Sequence, residues 1–520
     1  MCRMLPTHLK TIRLALAVYL VCLAVVSAKQ VVEASRRPNI IFLLTDDQRD
    51  NTFGIMGHPW VKTPHIDRLI KRGVRFSNAY IAEPTCSPSR TAFFTGMHER
   101  VNGVGFTSSY QLTEAQWDKS YPALMRKGGY YTGFIGKFGV EYHTFRGQAA
   151  DRFDFWRGHD GWAKFFPKTA KNCQAYHDSG EEIITPVMGE SITRFLDTAP
   201  VNRPFCLSVS FSIPHGSQTG SMHAWQSPAS DHPRLKNHPV YGKLYRDLDF
   251  QIPAETATDP YKYIPKEIMD QDRGRRNKTY FYDYDREICR EHHIRYYQQI
   301  TGLDKVIGEM VASLKEKGLD KNTVILFASD HGLLMGEYGM GGKGLLYDLT
   351  SKFPCFVYDP GLPKHKRGQT LDQLVSSLDI TSTILDYAGI RQPKEMGGRS
   401  MVPLVQGENS PWRDAIFLEN LYTGRDTPFS EGIRQGKWKY IRMFDGVAPY
   451  TERHLDFTGR TPDFEQLFDL DEDPDEKKNL IGMYEGRTML ADLRRRCQQA
   501  SSDLNRRRSE YRKTHEVTER

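Results

Sequence analysis

The sequence predicts an α/β protein. A large, mostly parallel sheet is sandwiched by helices, and a smaller C-terminal α+β domain carries an antiparallel sheet. Three observations point there. The runs Asn39–Thr45, Phe205–Ile213 and Thr323–Ser329 are apolar without alternation, as strands covered on both faces require. Helical patterns alternate with such runs, which is the signature of parallel strands joined by crossovers. After about residue 410 the pattern changes to hairpin-like strands.

The elements follow in order. Asn39–Thr45 is a buried strand, and Thr63-Pro64 opens a helix with Ile66, Leu69 and Ile70 on one face and Gly73 as its stop. Ser89–Thr95 reads as a helix with Pro88 near its start and Gly96 at its end. Tyr121–Lys127 is helical and Tyr131–Ile135 is a strand. Ser191–Asp197 is helical and Phe205–Ile213 is the next strand. Residues 216–293 are long, aromatic and charged with little periodicity, and read as a functional or disordered loop. Ile300, Leu303, Ile307, Met310, Val311 and Leu314 form the clearest amphipathic stripe, closed by Gly318 ahead of Thr323–Ser329. Leu378–Tyr387 is one more helix. Glu431–Arg434 and Lys437–Met443 flank Gln435-Gly436 as a hairpin, and Phe464–Leu470 is a further strand. From Arg487 onward a helix carries Arg494–Arg496 and Arg506–Arg508, read as solvated, or alternatively as a cationic patch for a polyanion.

Residues 1–28 read as a signal peptide. Arg3, Lys10 and Arg13 precede the apolar run Leu14–Val26, and Val26-Ser27-Ala28 offers small residues for cleavage. That run is short for a bilayer span, so no stable membrane anchor is expected after cleavage. The expected domains are then 36–410 and 411–520. The expected location is periplasmic or extracellular, or lysosomal in a eukaryotic host. The 520 residues are 39% hydrophobic and 26% charged, which excludes coiled coils, fibres and disordered chains. A formal charge of +7 is small for this length and gives no reason to expect nucleic acid. Of eight cysteines the signal takes Cys2 and Cys22. Cys206 and Cys355 lie in apolar runs and read as buried thiols. At most two disulfides remain if Cys86 stays apart, with pairing open.

In open α/β sheets ligands bind beyond the carboxyl ends of the strands. Asp46-Asp47 follow the first strand, Gly136-Lys137 the second, Pro214-His215 the third, and Asp330-His331 the fourth. One Asp at a strand end is a common cap; four strands delivering acids, a lysine and histidines to one edge is not. Carboxylates from Asp46, Asp47 and Asp330 suit Ca²⁺ or Mg²⁺ and would repel one another without a cation. Lys137, His215 and Lys343 would then face an anion, a layout for hydrolysing phosphate or sulfate esters. The nucleophile candidate is Cys86, in Pro84-Thr85-Cys86-Ser87-Pro88-Ser89-Arg90, near a helix N-terminus where an anion is favoured.

Cys86-Ser87-Pro88-Ser89-Arg90 with Thr95-Gly96 resembles the signature of type I sulfatases. Asn39–Gln48, Thr63–Leu69, Gly133–Lys137, Ser329–Gly332 and Leu467–Leu480 extend the resemblance over roughly residues 37–485. It implies an alkaline-phosphatase-like fold and a sulfated carbohydrate substrate. It also implies oxidation of Cys86 to formylglycine by a formylglycine-generating maturation enzyme. One oxygen of the hydrated aldehyde would attack sulfur, and the second hydroxyl would then expel sulfate. Asp46, Asp47, Asp330, His331 and the modified Cys86 would bind the metal, usually calcium. Arg90 would hold the modified residue, Lys137 and Lys343 the sulfate, and His215 would protonate or orient the leaving oxygen. His331 stands where many members have Asn. Gly139 stands where many have a histidine assigned to sulfate elimination, with His143 nearby. Other readings are a phosphate or phosphonate ester hydrolase of the same superfamily, and a non-catalytic binder of sulfated glycans.

Other motifs fail on spacing. Gly342-Lys343 is no phosphate loop, because Glu337 and Gly344 occupy the key positions. Asp469, Asp471 and Asp473 lack the glycine and glutamate of an EF-hand, having Pro474 and Leu480 there. Phe153, Phe155, Trp156, Trp162, Phe165 and Phe166 read as packing, or alternatively as a sugar-stacking wall. Asn277-Lys278-Thr279 is a glycosylation acceptor only in a eukaryote, and Arg273, Arg275 and Arg276 read as a solvated turn.

Overall fold

The structure is a computed structural model, and it describes residues 37–106, 108, 111–140, 147–161, 165–215, 235, 237–249, 251–256, 258–268, 286–423 and 427–515. The signal segment, His143, Trp162, Arg273, Arg275, Arg276 and Asn277 lie outside them.

Eight strands form the large sheet: β1 (Asn39–Asp46), β2 (Val74–Tyr80), β3 (Tyr131–Lys137), β4 (Phe155–His159), β5 (Phe205–Pro214), β6 (Thr323–Ser329), β9 (Cys355–Tyr358) and β10 (Gln369–Ser376). Their order is β10-β2-β9-β6-β1-β5-β3-β4. Only β9 runs antiparallel to its neighbours β2 and β6. The short strands β7 (Leu334–Met335) and β8 (Gly341–Gly342) form a separate ladder. The sheet is therefore mostly parallel, as the uninterrupted apolar runs required. All eight residues of β1 are buried. Its side chains alternate between two cores. Ile40, Phe42 and Leu44 meet α2 (Cys86–Thr95), α3 (Tyr121–Lys127) and α6 (Ser377–Tyr387). Ile41 and Leu43 meet α1 (Pro64–Arg72), α4 (Ile184–Thr198) and α5 (Arg286–Glu316). Each such buried side chain contributes about 1.5–3 kcal/mol.

The C-terminal sheet is an antiparallel meander: β11 (Ala415–Asn420), β12 (Phe429–Gln435), β13 (Trp438–Phe444) and β14 (Phe464–Asp469). Gln435 pairs with Trp438, so the hairpin turn is Gly436-Lys437, with Gly436 at φ 55°. Ile416, Leu418, Ile441, Met443 and Phe468 pack with Tyr80, Leu346 and Leu374, which docks this sheet beside β2 and β10.

Two expectations are corrected. First, α5 begins at Arg286, inside the stretch read as loop. His292, Arg295, Tyr296 and Gln298 are buried there despite their polarity, so hydropathy hid the helix. Second, the final helix α7 (Thr488–His515) is docked rather than solvated. Leu490, Leu493, Cys497, Ser501, Leu504, Arg508 and Tyr511 bury one stripe. Its cations do not form a free patch either: Arg494 pairs with Glu465 and Glu485, and Arg496 with Asp414 and Asp492. The aromatic stretch after residue 152 packs, as read, and supplies edge strand β4 as well as core. Phe153 and Phe165 are buried, and Trp156 stacks on Phe134 at 5.2 Å. β2, β9 and β10 were also unread as strands. Cys206 and Cys355 are buried thiols as expected, as are Cys86, Cys173, Cys289 and Cys497. No described helix is long and apolar enough to cross a membrane.

Candidate active site

The carboxyl edge of the large sheet assembles the predicted residues. Asp46 ends β1 and Asp47 follows it. Lys137 ends β3, His215 follows β5, and Asp330-His331 follow β6. Lys343 arrives from the β8 ladder rather than from the main sheet. Helix α2 begins at Cys86, three residues earlier than the sequence placed it. Pro88 is tolerated inside its first turn because amides there have no helical acceptor. Cys86 therefore sits at the helix N-terminus, where the dipole favours an anion.

Cys86 Sγ lies 2.9 Å from Lys343 Nζ, 3.2 Å from His331 Nε2 and 3.6 Å from Asp46 Oδ1. Lys343 Nζ also donates to Asp47 Oδ1 at 2.6 Å, and Lys137 Nζ to Asp46 Oδ2 at 2.6 Å. Arg90 is the hub beneath. Its Nε and Nη2 each lie 2.9 Å from Asp330 Oδ2, and Nη2 is 3.3 Å from Asp46 Oδ2. Its Nη1 donates to the Lys137 carbonyl at 3.0 Å and to Ser210 Oγ. His215 Nε2 is 3.7 Å from Asp47 Oδ2. Asp46, Asp47, Asp330, His331 and Arg90 are at most 1% exposed, whereas Cys86, Lys137, His215 and Lys343 retain 4–8%. The carboxylates are thus a sealed floor, and the thiol, lysines and His215 form the rim a ligand would meet.

Burial works against every charge here, and the neighbours decide the outcome. At Asp46 burial is outweighed by Lys137, His215, Arg90 and Lys343, which hold the carboxyl well below its ordinary value. At Asp47 burial wins over Lys343 and His331 and pushes the carboxyl up to about 7. Burial raises the Cys86 thiol although Lys137 and Lys343 oppose it. Burial also drives His215 well down, with Lys343 and Lys137 adding to the effect.

The site fits a cation. Ligand atoms of Asp46, Asp47, Cys86 and His331 all lie within 4.8 Å of one another. Asp47 Oδ2 is buried and accepts no hydrogen bond among the described residues. His331 Nδ1 faces the Gly332 carbonyl at 2.9 Å, which leaves Nε2 as a donor atom toward Cys86. Asp330 stands slightly apart: Oδ2 is taken by Arg90, and Oδ1 accepts from the Asp47 amide at 3.1 Å while lying 3.4 Å from His331 Nε2. Two carboxylates suit a hard divalent cation, and the imidazole also admits transition ions.

Sequence reasoning missed the supports. Asp47 has φ 66°, unusual for a non-glycine residue, and is fixed by its amide bond to Asp330 and by Tyr296 Oη donating to its carbonyl at 2.7 Å. Ser208, Ser210 and Ser212 bond Tyr121, Arg90 and His159. Their signal was present, as serines at every second position of an otherwise apolar strand. Gly139 has φ 64°, and a Cβ there would lie 2.7 Å from Arg90 Cδ. That backbone favours glycine at this position. Gly139→Ala should therefore cost about 2–4 kcal/mol, from left-handed strain plus displacement of Arg90. Denaturant midpoint and kcat measured together check it, and a variant as stable and active as the parent would refute it.

A family profile described as sulfatase matches residues 38–390, more than half of the chain. The chain belongs to the sulfatase family. A second profile, described as the C-terminal part of N-sulphoglucosamine sulphohydrolase, matches residues 336–503. This sulfatase is 29% identical to an arylsulfatase of Clostridium perfringens over 88% of its own length and 93% of the relative's. It is 24% identical to an N-acetylglucosamine-6-O-sulfatase of Bacteroides thetaiotaomicron, over 87% and 84% of the two chains. In fold it is similar to a solved structure in complex with its substrate D-glucosamine-2-N,6-O-disulfate. There the TM-score is 0.65 at 21% identity, covering 91% of this chain and 99% of that one.

Proposed function

We propose that this sulfatase is an exported hydrolase of sulfate esters on a sulfated carbohydrate, acting through a formylglycine made from Cys86. The observation that carries the reading is the convergence on Cys86 of Lys343, His331 and Asp46, within 2.9–3.6 Å, at the first residue of the C-x-P-S-R motif. Residues 1–28 support export, and the motif supports maturation by a formylglycine-generating enzyme. The carbohydrate is supported by the glucosamine-directed relatives.

Position 86, where the thiol now marks the place of an oxygen, supplies once converted and hydrated one hydroxyl to attack sulfur and another to release it. The divalent cation, Ca²⁺ or alternatively Mg²⁺, would be held by Asp46, Asp47, Asp330, His331 and residue 86, and would supply charge for the attacking oxygen. Lys137 and Lys343 on the rim neutralise the sulfate oxyanions, each turning from its carboxylate toward the ester. Arg90 keeps Asp46 and Asp330 aimed upward. His215, kept neutral by burial, donates a hydrogen bond to the leaving alcohol oxygen.

Protein produced with the maturation enzyme should yield a residue-86 peptide lighter by about 18 Da, the change from thiol to aldehyde. It should turn over aryl sulfate far faster than aryl phosphate, and release sulfate from sulfated glucosamine saccharides. An intact thiol with binding but no turnover would overturn the reading in favour of a glycan binder. Faster phosphate turnover would overturn it in favour of a phosphoesterase.

The cation has its own test. Added to chelator-treated protein at a thousand times its Kd, Ca²⁺ should stabilise by about 4 kcal/mol. Asp47→Asn should abolish most of that gain, because it removes a carboxylate oxygen that accepts no hydrogen bond among the described residues. Melting with and without calcium measures both, and an unchanged calcium response in the variant would exclude Asp47 as a ligand.

A further inference from the structure

Away from the rim lies a second buried ionic cluster, and it joins the two sheets. Glu419 of β11 reaches the main domain by three routes. Its amide donates to the Ala82 carbonyl at 2.9 Å. Its carboxylate accepts from the Arg100 amide at 3.1 Å and from Arg100 Nε at 2.7 Å. Its Oε1 faces His98 Nδ1 at 3.6 Å. His98 Nδ1 is also 3.1 Å from Glu83 Oε1, which accepts from the Glu99 amide at 2.8 Å. Ligand atoms of Glu83, His98 and Glu419 lie within 4.8 Å of one another. Arg100 continues to Glu431 of β12, which Arg442 of β13 also pairs. Glu83, Arg100, Glu419 and Glu431 are all 0% exposed.

These contacts bracket α2. Ala82 and Glu83 precede it, and His98, Glu99 and Arg100 follow it. The Glu83 carbonyl accepts from Thr85 at 2.8 Å, and the Thr85 carbonyl accepts from Ser89 at 3.0 Å. The turn that presents residue 86 is therefore tied, through one residue, to a carboxylate of the other sheet.

We infer that Glu419 is a positioning residue for the nucleophile: it fixes both flanks of α2 and so sets where residue 86 stands against Lys343 and the carboxylates. The inference rests on the proposed role of residue 86. A buried carboxylate that accepts two hydrogen bonds from Arg100, beside the hydrogen bond from its own backbone amide to Ala82, is a stiff anchor. Displacements of about 1 Å at a reacting atom cost on the order of 10²-fold in rate. Such an anchor is therefore felt in kcat rather than in ground-state binding.

The test is Glu419→Gln, which keeps the shape and removes the charge. Turnover of aryl sulfate is normalised to aldehyde groups titrated with an aminooxy probe, so that misfolded or unconverted protein does not count. Leu418→Ala, its buried neighbour on β11, serves as the purely destabilising control. The expected result is kcat per aldehyde lowered at least about tenfold in Glu419→Gln with KM within about twofold, and kcat per aldehyde unchanged in Leu418→Ala. Equal kcat per aldehyde in Glu419→Gln and the parent would overturn the inference, whatever the melting temperatures. Absence of aldehyde from the parent itself would count against the proposed nucleophile. Positioning is then read from the rate at which the Cys86 thiol is alkylated. A change of threefold or more in Glu419→Gln supports the inference and an unchanged rate overturns it.

Discussion

Cys86→Ala should lower kcat by about 10⁴–10⁶-fold, the range seen when a covalent nucleophile is removed. The loss should fall on kcat, because the rim cations Lys137 and Lys343 and the imidazole of His215 remain to bind the sulfate ester. Folding should barely change: the thiol is small, and alanine costs chiefly one acceptor for Lys343, about 1 kcal/mol. Cys86→Ser separates the two halves of the proposed chemistry. A serine oxygen has the acceptor geometry to satisfy Lys343 but carries no second hydroxyl to expel sulfate. It should give at most one equivalent of released alcohol and then stop. Rapid-quench measurement of alcohol and sulfate, with mass analysis of the residue-86 peptide, distinguishes these outcomes. An alanine variant retaining more than about 1% of kcat would place the nucleophile elsewhere.

Arg90→Ala should be the most destabilising single change at the site. Arg90 is 1% exposed and holds Asp330, Asp46, the Lys137 carbonyl and Ser210 together. Removing one partner of a buried ion pair strands the others, at about 3–5 kcal/mol. Asp46 and Asp330 would face each other across the hole with Lys137, His215, Lys343 and any bound cation left to answer them. Stability of the variant should therefore depend more steeply on calcium than that of the parent. Arg90→Lys should recover only part of the loss, since one ammonium cannot reproduce the planar fork that meets Asp330 with two nitrogens. Chemical denaturation with chelator and with calcium checks all three statements. A variant unfolding at the parent's midpoint under both conditions would show that the carboxylates do not depend on Arg90.

Much of the edge chemistry was legible because it lies next to its own strand. Asp46-Asp47, Lys137, His215 and Asp330-His331 each follow a run whose apolar character announces a buried parallel strand, so their shared edge follows from the fold class. Lys343 was grouped with Lys137 and His215, but no long strand precedes it, so its place at that edge did not follow from the fold class. The length of α5 and the docking of α7 were not legible. Both helices bury polar side chains, among them His292, Arg295 and Tyr296 in α5 and Ser501 and Arg508 in α7, so local hydropathy reads them as surface. The glycine at 139 could be seen as a departure but not explained, because its reason is the side chain of Arg90, 49 positions earlier.

By itself the sequence determined the alternation of strands and helices, the mostly parallel sheet, the C-x-P-S-R segment and the residues delivered to each strand end. Those are local properties, governed by side-chain period, turn chemistry and neighbours within a few residues. Only the tertiary structure decided that Arg90 lies between Asp46 and Asp330, that Asp47 adopts a left-handed backbone under Tyr296, and that Glu419 reaches across to α2. These contacts join residues 44 to 319 positions apart. Each is stable only because the packed sheet excludes water and brings a charge to its partner. No window of sequence contains both halves of such a pair.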